Sequence, residues 1–109
     1  MRRKIYLRPG ATDMRKSVNG LSKLAQNEMH LPVFAKSIFL FCNKKRNTIK
    51  ALYWHRNGFC LWMKKLSEEK FPWPQTEEEV YQISTQRLFW LLKGIDFFQE
   101  HTEKQYKII

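Results

Sequence analysis

Asn57-Gly58 separates two strand-like segments, Thr48 to Trp54 and Phe59 to Met63, and so commits the middle of the chain to a β-hairpin. A type I′ turn needs positive φ at both central residues, and Asn-Gly supplies it readily. Before the turn, Ile49, Ala51 and Tyr53 alternate with Lys50, Leu52 and Trp54, which is the period of a strand. Upstream, Ser37 to Cys42 is rich in aromatic and β-branched residues, and Asn43 to Asn47 is a short polar loop. Three strands joined by short connections predict an antiparallel meander.

The flanks add helices. Ile5-Tyr6-Leu7 reads as a short strand ended by the turn chemistry of Arg8-Pro9-Gly10. Thr12 is the expected N-cap of a helix running from Asp13 to Glu28, with Asp13 in its first turn. Met14, Val18, Leu21 and Ala25 recur at helical spacing, beside a second track of Ser17, Leu21 and Leu24. Gly20 inside it costs about 1 kcal/mol relative to Ala and suggests a close helix approach. Leu31-Pro32 closes the segment. Phe71-Pro72-Trp73-Pro74 lacks two backbone donors within four residues, so it is extended and lays Phe71 and Trp73 on the core or on a groove. A second helix is expected from Ser84, with Leu88, Leu91, Leu92 and Ile95 as its apolar stripe and Gly94 as a stop. The tail 97–109 either extends it or frays. The expected architecture is α+β. A small antiparallel meander of three to four strands packs on one face against two main helices, in a single domain spanning 1–109.

Charge narrows the functional classes. The 109 residues are 43% hydrophobic and 15% aromatic, too apolar for a disordered basic tail, yet they carry a formal net charge of +10. Residues 1–70 hold 16 Lys+Arg against 4 Asp+Glu, whereas 71–109 hold 4 against 6. Between Met29 and Ser67 there is no acid at all, while Lys36, Lys44, Lys45, Arg46, Lys50, Arg56, Lys64 and Lys65 all fall there. Solvated surfaces usually mix both signs. Such a window calls for an anionic partner, or for acids brought near in space from elsewhere.

Catalysis finds little support. Cys42 and Cys60 fit neither a disulfide framework nor a CxxC zinc site, and read as small hydrophobes of a reducing compartment. His30, His55 and His101 are isolated, with no metal-binding pair. A two-metal nuclease needs several converging carboxylates, and only Asp13 and Asp96 fall in ordered-looking segments. Cys60 with His55 could make a thiol–imidazole pair, but no third group orients it. Glu77-Glu78-Glu79 reads as a helix start or a solvated face. No cofactor, no metal and no enzymatic activity are expected. Apolar runs of five residues at most, Ile38 to Cys42 and Leu88 to Leu92, and a basic N-terminus without a following apolar stretch predict a cytoplasmic protein with no membrane contact.

The candidate contact residues are Lys44, Lys45 and Arg46 at the hairpin tip, with Lys50, Arg56, Lys64 and Lys65. Lysine and arginine neutralise phosphates with release of counterions, and the nearby Tyr53, Trp54 and Trp62 either stack on bases or belong to the core. Core spacing favours the second reading of the aromatics. Arg15 and Lys16 offer a further phosphate contact at the start of the first helix. Against this, Asp13 can pair with Arg8 or Arg15.

Thr12 to Leu21, Leu52-Tyr53-Trp54, Gly58-Phe59-Cys60-Leu61-Trp62, Phe71-Pro72-Trp73-Pro74 and Leu91-Leu92-Lys93-Gly94-Ile95-Asp96 together resemble one family. It is the TnpB accessory protein of the insertion-sequence "sixty-six" type transposable elements, unrelated to the RNA-guided nuclease of the same name. The motifs stand in the family's order from Tyr6 to Asp96. The resemblance implies a bacterial mobile-element protein that acts in transposition beside a separate DDE-type transposase, without a catalytic residue set of its own. Where many relatives carry Asp after the Tyr-Trp pair, this chain has His55, which puts any specific task of that carboxylate in doubt here. The expected function is therefore a non-catalytic accessory factor that binds DNA phosphates of the transposon ends through its basic hairpin surface. The alternative is a protein-interaction adaptor for an acidic surface of the transposase, using Phe71 to Pro74 and the hairpin aromatics.

Overall fold

The computed structural model describes residues 4–30 and 36–81. The expected second helix from Ser84, Asp96 and the tail 97–109 lie outside the described residues. Within them the order is β1 (Lys4–Leu7), α1 (Val18–Asn27), β2 (Ser37–Cys42), β3 (Thr48–His55), β4 (Gly58–Lys65) and α2 (Glu77–Tyr81). The four strands form one sheet in sequence order. The β2–β3–β4 meander is antiparallel as expected. β1, however, runs parallel to β2, with Ile5 beside Ile38 and Leu7 beside Leu40, so the sheet is mixed rather than purely antiparallel. The reason is the crossover: α1 lies between β1 and β2 and returns the chain to the same end of the sheet.

Both faces are covered, which explains why β2 is buried at every position from Ser37 to Cys42. On one face Phe39, Phe41 and Leu52 pack against Leu21 and Ala25 of α1. On the other, Leu7, Ile38, Leu40, Cys42, Ile49 and Ala51 pack against Phe71 and Trp73. The Phe71–Pro74 strap thus serves the core, with Phe71 and Trp73 only 1% and 3% exposed. Two prolines leave Phe71 and Trp73 as the amide donors of the strap, and side-chain and carbonyl bonds add to them. Trp73 Nε1 donates to the Arg8 carbonyl at 3.0 Å, and Gly10 N donates to the Pro74 carbonyl at 3.0 Å. Gly10 has φ 75°, a region that favours glycine.

Helix α1 begins five residues later than expected, with Ser17 rather than Thr12 as its N-cap. Asp13 instead closes a turn of its own: its Oδ1 accepts the Arg15 amide at 2.9 Å, and its carbonyl accepts the Lys16 amide at 3.2 Å. The Met14 and Lys16 carbonyls are taken by the Lys50 ammonium at 2.7 and 2.9 Å, so they do not open a helix. Thr12 is buried, its amide bonded to the Cys42 carbonyl and its hydroxyl accepting from Arg8 Nη1. At Gly20 the close neighbour is the preceding turn, not another helix: an added Cβ would lie 3.1 Å from Lys16 Cβ. At the other end, Arg8 joins the β1–α1 link to the α1 C-cap through Glu28 Oε2 at 2.8 Å.

The glutamates Glu77, Glu78 and Glu79 form the exposed first turn of α2. Thr76 Oγ1 accepts the Glu79 amide, and Glu79 Oε2 accepts the Gln75 amide at 2.7 Å, a reciprocal arrangement close to a capping box.

The hairpin sits where Asn57-Gly58 predicts it, but its two central residues are Arg56 and Asn57, with His55 paired to Gly58. Only Arg56 among them has positive φ, 58°, so the turn is not the expected one with Asn57 and Gly58 both left-handed. Cross-strand packing sets this register over turn preference: Leu52 faces Leu61, and Trp54 meets Phe59 edge to face at 5.0 Å.

Candidate nucleic-acid interface

The tip between β2 and β3 is built by two asparagines. Asn43 Oδ1 accepts the Asn47 and Thr48 amides at 3.0 and 3.1 Å, and Asn43 Nδ2 donates to Asn47 Oδ1 at 2.6 Å. The Thr48 hydroxyl donates to the same Asn47 oxygen at 3.1 Å. Arg46 closes the turn with φ 60°, its amide on the Asn43 carbonyl. The chain after β4 then pins the tip from outside, since Leu66 N donates to the Asn47 carbonyl at 2.7 Å and Phe71 N to the Arg46 carbonyl at 2.6 Å. Lys44 and Lys45 are therefore exposed on a turn whose backbone is held at several points.

The strand register decides which other cations join them. Lys64 pairs with Ile49 and Lys65 with Thr48, so both stand at the tip end of the hairpin, on opposite faces. Lys65 is exposed and Lys64 half-buried. The Lys16 backbone is held over β3 by Lys50, one step along from Ile49, while its side-chain carbons lie against Gly20 of α1. Arg56 does not join the cluster. It lies at the opposite end of β3, an eight-residue strand that spans roughly 25 Å. Lys50 is half-buried and committed to two backbone carbonyls, so its charge holds the turn before α1 onto the sheet.

Arg15 and Lys16 precede α1 rather than lying in its first turn. Arg15 pairs with Asp13, Nε reaching both carboxylate oxygens at 3.0 Å and Nη2 reaching Oδ2 at 2.7 Å. These bonds hold the Asp13 carboxyl down at about 2 and push the Arg15 guanidinium above its ordinary value. Arg8 is likewise paired, with Glu28.

Acids do approach the cluster from outside the acid-free window. Residues 67–70 bridge Leu66, bonded to Asn47, and Phe71, bonded to Arg46, which places the exposed Glu68, Glu69 and Lys70 beside the tip. The local balance is still positive: Lys44, Lys45, Arg46, Lys64, Lys65 and Lys70 against two glutamates. Sequence spacing missed this neighbourhood, because it depends on where the strap docks. The Asn43–Asn47 clamp had a visible signal, since asparagine side chains habitually bond backbone amides in turns.

The aromatics of the hairpin are half-buried. Tyr53 and Trp62 pack against the strap-side core, and Phe59 packs against the helix-side core while meeting Trp54. Cys42 is buried, and burial pushes its thiol up to about 12, which keeps it protonated and unreactive. Among the described residues no group of three or more His, Cys, Asp or Glu is placed to hold a metal ion. No described helix is long and apolar enough to cross a membrane.

The family described as "IS66 Orf2 like protein" matches residues 3–102. The chain is similar to "Uncharacterized protein y4hO" of Sinorhizobium fredii (strain NBRC 101917 / NGR234), 30% identical over 94 residues that cover 86% of this chain and 82% of the relative. It is also similar to "Uncharacterized protein y4jC" of the same organism, 27% identical over 85 residues, 78% of this chain and 73% of the relative. No solved structure matches.

Proposed function

Because the chain belongs to the IS66 Orf2-like family, transposition-associated accessory proteins of insertion sequences, we propose that it assists a separate DDE-type transposase by gripping DNA phosphates, without catalysis of its own. The observation that supports this reading is that Lys44, Lys45 and Lys65 stand at one end of the sheet, on a tip whose backbone is fixed by the Asn43–Asn47 clamp. The clamp fixes the backbone that carries the lysines, and each phosphate contact releases counterions. The element's ends are the DNA proposed.

In this reading Lys44, Lys45 and Lys65 make the contact, with Lys16, Arg46 and Lys64 at its margin. Lys50, Arg15 and Arg56 are left out, the first two by their internal bonds and the third by its position. Of the contacts of the adaptor reading, Phe71, Trp73 and Pro74 are buried, which leaves it the half-buried hairpin aromatics Tyr53, Trp54 and Trp62.

Binding of a short duplex to wild type and to a Lys44/Lys45/Lys65→Ala variant at several salt concentrations tests the proposal. The variant should bind more weakly, and its salt slope should fall by roughly 0.9 per lost phosphate contact. Equal affinity and equal slope would remove DNA from this surface. Co-purification with the transposase after nuclease treatment, unchanged in that variant, would place the partner contact elsewhere.

A further inference from the structure

β4 is the outer strand of the described sheet. Its eight residues, Gly58–Lys65, lack the usual protections of an edge. There is no proline, no charge before Lys64, and no bulge in the continuous register from His55–Gly58 to Thr48–Lys65. In an antiparallel ladder, successive residues turn their amide and carbonyl alternately toward one neighbour and the other. Asn43 N donates to the Thr48 carbonyl, so Thr48 faces β2; Leu66 N donates to the Asn47 carbonyl, which fixes the opposite phase for β4. Cys60, Trp62 and Lys64 therefore face β3, while Leu61, Met63 and Lys65 turn their backbone groups outward. Met63 is also 58% exposed.

We propose that β4 pairs antiparallel with β4 of a second copy of this chain, about a two-fold axis at Trp62, joining two sheets into one. The alternation places the axis at a residue rather than between two, and among such registers the one at Trp62 brings the aromatic pair together. Outward-facing residues must meet outward-facing residues, and an axis at Trp62 sets Leu61 opposite Met63 on both sides. Trp62 then faces its own copy, an aromatic cross-strand pair. Charge selects the direction. In the antiparallel arrangement Lys64 lies opposite Cys60 and Lys65 opposite Phe59, so equivalent lysines of the two copies are roughly 14 to 20 Å apart along the strands. A parallel pairing would set Lys64 and Lys65 directly against their own copies, which is unfavourable. Each chain carries a net +10, but charges beyond about 8 Å are largely screened at physiological ionic strength. The two basic tips stand at opposite corners of the joined sheet, so one dimer presents two separate cationic surfaces.

The inference rests on strand geometry and not on the DNA reading, and salt separates the two. Raising salt screens the repulsion between the chains and strengthens self-association, whereas it weakens phosphate binding. Sedimentation equilibrium of the full chain without DNA should show the weight-average mass rising toward twice the chain mass with concentration, and more readily at high salt. Met63→Pro removes an outward amide and no bond to β3. It should remain at the single-chain mass with an unchanged circular dichroism spectrum. Hydrogen exchange on the wild type gives a readout that needs no variant: protection of the Leu61 and Met63 amides should rise with protein concentration. A wild type that stays at single-chain mass, a folded Met63→Pro chain that still doubles, or Leu61 and Met63 protection independent of concentration would each overturn the proposal. The last result would instead assign the edge to another segment of the same chain.

Discussion

The Lys50 ammonium lies 2.7 Å from the Met14 carbonyl oxygen and 2.9 Å from that of Lys16, tying the turn before α1 to the second strand of the meander. Deleting it strands two acceptors at a half-buried position. Lys50→Met should therefore lower unfolding stability by about 1–3 kcal/mol in a urea titration. Its salt slope for duplex DNA should stay at the wild-type value, because that charge is spent inside the fold. A reduced slope would return Lys50 to the contact surface.

Arg56 is held at φ 58° in the β3–β4 turn, where a side chain costs about 1–2 kcal/mol relative to the right-handed region. Arg56→Gly should raise stability by up to about 1 kcal/mol after the added entropy of glycine in the unfolded chain. Gly58 behaves oppositely to its reputation. It has no positive φ, and an added Cβ there meets nothing within 4 Å, so Gly58→Ala should melt close to wild type. Gly10→Ala, at φ 75°, should be destabilised. Thermal melts of the three variants check the order.

These glycines show what a linear reading could and could not reach. The hairpin and the three meander strands were legible, because they follow from alternation and from apolar runs, whereas the covering of both sheet faces was not, since the second cover is the distant 71–74 strap. The turn register was not, since Trp54–Phe59 packing outweighs the preference of Asn-Gly for the central positions. The start of α1 was hidden for a similar reason: the residue that withdraws its carbonyls, Lys50, is 36 positions beyond Met14. Of the basic residues, local spacing set Lys44, Lys45 and Arg46 in one turn, and they lie in the turn between β2 and β3. Local spacing could not show that Arg56 and the tip lie at opposite ends of one strand, or that Lys64 and Lys65 return to it.

The Asp13 carboxyl, held at about 2 against an ordinary 3.8 by the Arg15 guanidinium and then by the Arg15 amide, makes stability depend on acid pH. A depressed carboxyl binds fewer protons folded than unfolded, so its contribution is present above about pH 4 and disappears as pH falls through about 2. Carboxyl resonances should show Asp13 titrating near 2. In Arg15→Ala the midpoint should move back toward 3.8, and this part of the acid dependence should flatten. Titration of wild-type Asp13 at the ordinary value would mean that the pair does not persist in solution.

Glu68 and Glu69 occupy the loop that bridges the two bonds pinning the basic tip, and they are the carboxylates closest in the chain to Lys64 and Lys65. If the tip meets phosphates, these acids oppose the approach of DNA. Two unit charges about 8 Å from a phosphate in water oppose it by roughly 1 kcal/mol in all. Glu68→Gln with Glu69→Gln should accordingly tighten duplex binding about fivefold at low salt, with the gain shrinking as the Debye length contracts. Fluorescence anisotropy at two ionic strengths reads both effects. The salt slope distinguishes the sources: neutralising the glutamates alters repulsion, whereas Lys44/Lys45/Lys65→Ala removes phosphate contacts and lowers the slope itself. Affinity unchanged by both variants would mean that DNA does not meet this end of the sheet.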